Sequence, residues 1–69
     1  MAITLKAARV NAGLTQLEAA KRLNISEATL SRWESGKGFP NVRNIIDIEQ
    51  VYGMPYGEII FSPKQTDKP

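Results

Sequence analysis

QLEAAKRLNISEATLSRWE, residues 16–34, holds two helical patterns joined by a turn at Asn24, Ile25 and Ser26. Apolar or small residues fall at Ala19, Ala20, Leu23, Ile25, Leu30 and Trp33. They recur at the period of an α-helix on each side of the turn. This spacing predicts two short helices packed at a steep angle, the second with its far side open to solvent. Thr15 precedes the first helix and Glu18 follows three residues later. That pair is a capping box: the hydroxyl accepts an orphan amide and the carboxylate reaches back. Asn24 occupies the sharp turn, where asparagine tolerates the left-handed conformation better than most residues. Ser26 caps the second helix, and Glu27 in its first turn suits the helix dipole. That helix ends near Ser35 and Gly36.

On the N-terminal side, Leu5, Ala8 and Ala12 keep helical spacing, and Gly13 supplies a C-terminal stop. On the C-terminal side, residues 37–40 form a loop. Asn41 caps a fourth helix with apolar positions Val42, Ile45, Ile48 and Tyr52, Ile46 beside them, and Gly53 at its end. Pro55 is placed at the first turn of a short fifth helix, with Ile59 and Ile60 packing inward. The expected fold is all-α: a compact bundle of five short helices with a central helix-turn-helix. Residues 1–62 form that domain, and residues 63–69 form a flexible polar tail.

The chain has 69 residues, which suits one domain. A chain this short buries about 60% of the surface its unfolded form exposes. Function is therefore expected on the outer surface, not in a deep pocket. Cysteine and histidine are both absent, which removes disulfides, thiolate metal sites and the usual general base. No catalytic residue, metal or cofactor is expected, and neither is a small-molecule ligand. No apolar run approaches the roughly 20 residues of a membrane span, and the start lacks the pattern of a signal peptide. A cytoplasmic location is expected. The net charge of +2 is unevenly placed. Residues 1–46 carry seven bases and three acids, whereas residues 47–62 carry Asp47, Glu49 and Glu58 and no base. A basic front and an acidic back suit a protein that meets a polyanion with one side.

These residues resemble those of the lambda repressor-like, Cro/C1-type helix-turn-helix family. The likeness rests on Arg9, on Gly13, Leu14, Thr15 and Gln16, on Ala20, Leu23 and Leu30, on the run from Ser31 to Lys37, and on Pro40 and Gly53. It spans about Leu5 to Ile60. The resemblance implies sequence-specific binding of double-stranded DNA by a transcription regulator. It implies that Gln16 touches a backbone phosphate, that helix three is the recognition helix, and that Arg9 and Glu34 form an ion pair. Two positions depart from the family pattern. Asn24 stands where glycine is common, and Glu49 stands where a small apolar residue is usual. Glu49 falls beside the apolar stripe of helix four, and two readings stay open: it snorkels to water or meets a partner across a subunit contact.

With Leu30 at the centre of the buried face, Trp33 and Glu34 lie near it at about 100° per residue. Trp33 reads as core, and Glu34 needs a cationic partner because an unpaired buried carboxylate is costly; Arg9 is the candidate. Ala28 and Arg32 face outward, with Thr29 and Ser31 on the flanks. Arg32 can bond guanine in bidentate fashion, Ala28 and Thr29 suit a thymine methyl, and Ser31 can bond a base edge. Glu27 either accepts from cytosine or only stabilises the helix start. Phosphate contacts are assigned to Gln16, Ser26, Lys37, Asn41 and Arg43.

One such helix reads only a few base pairs. The expectation is therefore a homodimer on a palindromic operator, acting as a repressor. Met54, Tyr56 and Phe61 are the candidate dimer contacts. The alternative is an antitoxin or anti-regulator module whose main partner is a protein.

Overall fold

The computed structural model describes residues 2–61, so the tail expected over 63–69 lies outside the described residues. Four α-helices follow in chain order: α1 Leu5–Asn11, α2 Gln16–Leu23, α3 Glu27–Glu34 and α4 Val42–Tyr52. Each starts at a side-chain cap. Thr4, Thr15, Ser26 and Asn41 accept from the backbone amides of Ala7, Glu18, Thr29 and Asn44 respectively. Thr15 and Glu18 form the full capping box, with the Thr15 amide donating to Glu18 Oε1 at 2.9 Å. Those bonds hold the Glu18 carboxyl below its ordinary range, the backbone bond foremost. Asn24 ends α2 at φ 60°, ψ 43°, the left-handed region. Gly53 ends α4 in the same region, where a side chain would add strain.

The core joins all four helices. Leu5 and Ala8 of α1, Ala19, Ala20 and Leu23 of α2, Leu30 and Trp33 of α3, and Ile48 and Tyr52 of α4 are buried, with Ile59 beyond α4. Ala19 and Ala20 put two small side chains, both buried, on the core side of α2.

The fold is helical as expected, but the fifth helix is not there. A single 3-10 turn, Tyr56–Glu58, is followed by a two-residue strand, β2 Ile59–Ile60. It pairs in parallel with β1 Ile3–Thr4, in the register Ile3 to Ile59 and Thr4 to Ile60. The physical reason is local and long-range together. Gly57 weakens any helix, two β-branched isoleucines favour extended backbone, and so short a segment cannot offset helix nucleation. The start of the chain supplies the extended partner instead.

Helix α4 brings two further corrections. Val42 is 74% exposed and Ile46 is also exposed, so the buried stripe is narrower than the apolar pattern. Glu49 makes a contact that neither reading foresaw: its Oε2 accepts from the Tyr56 amide at 2.6 Å, tying the 3-10 turn to α4. Among the described residues, no helix is long and apolar enough to cross a membrane.

Candidate nucleic-acid interface

Leu30 and Trp33 sink into the core and thereby fix the outward face of α3. Glu27, Ala28, Ser31 and Arg32 are exposed on it, and Thr29 is half-buried. Ser26 both starts and shapes this face. Its Oγ accepts from the Thr29 amide at 3.0 Å and donates to Thr29 Oγ1 at 2.9 Å. The Thr29 hydroxyl is thus already oriented at the helix start. Arg32 Nη2 donates to the Lys37 carbonyl at 3.1 Å, which lays the guanidinium along the loop after α3. Gly38 lies under that guanidinium, so the loop approaches Arg32 without a side chain between them.

Arg9 and Glu34 meet behind this face. Arg9 Nε donates to Glu34 Oε2 at 2.7 Å and Nη2 donates to Oε1 at 3.2 Å. Arg9 Nη1 also donates to the Leu14 carbonyl, so one guanidinium joins α1, the loop after it and α3. Its pKa is raised, first by the hydrogen bond to Glu34, against an opposing effect of burial. Tyr52 lies on the inner side of the pair. Burial pushes its phenol up to about 12, with the Glu34 charge adding and the Arg9 charge opposing. The Tyr52 hydroxyl has no hydrogen-bond partner among the described residues.

The assigned phosphate contacts do not form one cluster. Gln16 sits in a shallow groove of about 570 Å³ with Lys6, Ser31 and Ser35 on its walls. Ser26, Lys37, Asn41 and Arg43 are exposed outside it. Asn41 is committed to capping α4 through Asn44, and Arg43 makes only a long, exposed contact of 3.8 Å to Asp47. Lys6 was missed from the sequence as a groove residue. The available signal was its position three residues before Arg9, on the same side of α1.

A second, apolar groove of about 420 Å³ lies on another part of the surface, lined by Phe39, Pro40, Ile45, Tyr56, Ile60 and Phe61 among others. Of the candidate dimer contacts, Tyr56 and Phe61 reach it, their rings stacked at 5.5 Å. Met54 is half-buried against the core and does not line it.

Comparison with known proteins agrees with this architecture. A family model described as helix-turn-helix matches residues 5–59. The chain is similar to the HTH-type transcriptional activator BcrR of Enterococcus faecalis, 34% identical over 56 residues. Those residues are 81% of this chain and 28% of that protein, so the chain spans little over a quarter of its relative's length. No solved structure matches significantly.

Proposed function

The chain belongs to the Cro/C1-type helix-turn-helix family of DNA-binding transcription regulators, and we propose that it reads an inverted-repeat operator as a homodimer in the cytoplasm. The observation that carries this reading is the division of α3: Leu30 and Trp33 are buried, while Glu27, Ala28, Ser31 and Arg32 stand exposed along one face. A helix locked from behind and bare in front suits the major groove. In this reading Arg32 contacts guanine, Ala28 and Thr29 meet a thymine methyl, and Ser31 bonds a neighbouring base edge. Gln16, Ser26, Lys37, Asn41 and Arg43 hold the phosphates on either side. Glu27 stabilises the start of α3.

The regulatory sign proposed is repression. Occupying a promoter blocks polymerase with no surface beyond the one that binds DNA. The activator relative matches over 28% of its length, and activation would require a polymerase contact in addition to DNA binding.

Selection of bound sequences from a random duplex library tests the proposal. Enrichment of an inverted repeat is expected, and Arg32→Ala should relax one base position by about 1–3 kcal/mol. No enrichment at low salt contradicts it. The runner-up, a protein-binding module, draws on the exposed apolar residues Phe39, Val42, Ile46 and Tyr56. Salt separates the two. A DNA binder loses affinity with a log–log slope of about −0.9 for each phosphate neutralised, whereas the module shows a flat response on duplex DNA.

A further inference from the structure

Glu34 carries more than the Arg9 ion pair. Its Oε1 also accepts from Gln16 Nε2 at 3.1 Å, so one carboxylate is held by three donors from two other segments. A carboxylate only accepts hydrogen bonds, so Gln16 has to present its NH2 end there and not its carbonyl. The contact therefore fixes which way round the carboxamide lies. It leaves the second N–H of the same nitrogen unused by Glu34, and the groove that Gln16 lines also has Lys6 of α1 and Ser31 and Ser35 of α3 on its walls. Arg9 matters to this arrangement. A lone carboxylate on the groove floor would repel an anion, and the bidentate guanidinium neutralises it.

We infer that Glu34 is a positioning residue for DNA binding: it orients Gln16 so that the carboxamide N–H and the Lys6 ammonium together seat one backbone phosphate in this groove. The inference rests on the DNA-binding reading above and adds to it two residues, Glu34 and Lys6, with distinct tasks. Lys6 supplies the charge. Gln16 supplies a neutral, directed donor whose direction is set from within the protein.

The test uses the full chain and a duplex carrying the enriched inverted repeat. Gln16→Ala is expected to weaken binding about tenfold, the effect of a hydrogen bond to a charged group, with the salt slope unchanged because no charge is lost. Lys6→Ala is expected to reduce the slope by about 0.9 per subunit. Glu34→Gln, assayed at a temperature where it is folded, should weaken binding in the native background and have little further effect when Gln16 is already alanine. Equal losses in both backgrounds would make Glu34 a purely structural residue and overturn the inference.

A measurement on the unsubstituted protein stands in if Glu34→Gln does not fold. The side-chain amide of Gln16 should be ordered in 15N relaxation, in contrast to that of the exposed Gln50. Equal mobility of the two would overturn the inference as well. Steep salt dependence without the Gln16–Glu34 coupling would sink this inference alone. Failure of the unsubstituted chain to bind any duplex would sink the DNA reading with it.

Discussion

Glu34 has a side chain only 5% exposed, and Arg9 is its sole cationic partner among the described residues. Arg9→Ala would leave that carboxylate buried with its charge uncompensated and strip the Leu14 carbonyl of a donor. The expected loss is about 3 kcal/mol or more, read as a lower urea midpoint, with DNA affinity falling alongside. An unchanged midpoint would contradict the pairing. Tyr52 offers the opposite case. Its buried hydroxyl has no partner among the described residues, so Tyr52→Phe should raise stability at neutral pH by about 1 kcal/mol. The pH dependence has a definite sign. The phenol is raised from 10.0 to about 12 in the fold, so the unfolded chain loses its proton first. Stability is then intact below pH 10 and declines as pH rises towards 12. The phenylalanine variant should show less of that alkaline decline in a series of thermal melts. A loss of stability at pH 7 would show instead that the hydroxyl is bonded.

The turn between α2 and α3 depends on one backbone conformation. Asn24 holds φ 60°, where an L-residue without a short polar side chain is strained. Asn24→Ala should cost about 1 kcal/mol, while Asn24→Gly should be neutral or slightly stabilising. Chemical denaturation of the pair checks this, and equal stability of the alanine and parent chains would show that the turn does not constrain folding. Such turns and caps are legible in sequence because they are decided within four residues: Thr15 with Glu18, Ser26 with Thr29, Asn41 with Asn44. The segment after Gly53 was not legible, because its extended form depends on Ile3 and Thr4 at the other end of the chain. Val42 misled for a related reason. Its spacing matched the stripe of α4, but no described residue buries its side chain. At the interface, the outward face of α3 could be read from helical period alone. The groove shared by Lys6 and Gln16 could not, since α1 and α2 are brought together there through Glu34 of α3.

In the proposed complex one subunit presents Ala28, Ser31 and Arg32 to DNA, with Thr29 half-buried and already bonded to Ser26. That set is short, and only Arg32 is long enough for a bidentate base contact. A few contacts worth about 1–3 kcal/mol each cannot separate one operator from a chromosome of competing sites. Two subunits joined on one face of the duplex can, because the second half-site is then bound at high effective concentration. This joint binding adds about 10²–10⁴-fold over either half-site alone. The charge layout is compatible with it: seven of the nine bases lie within residues 1–46, and residues 47–62 carry three acids and no base. Dimer geometry therefore makes a spacing prediction that single-subunit binding does not. Inserting five base pairs at the centre of the inverted repeat turns one half-site to the opposite side of the helix, because a full turn takes about 10 base pairs. A rigid dimer then reaches only one half-site, and affinity should fall at least about 100-fold, to that of an isolated half-site. Titration of the two duplexes by fluorescence anisotropy measures the difference. Equal affinity for both would mean that subunits bind independently, and α3 would then have to draw its specificity from DNA shape.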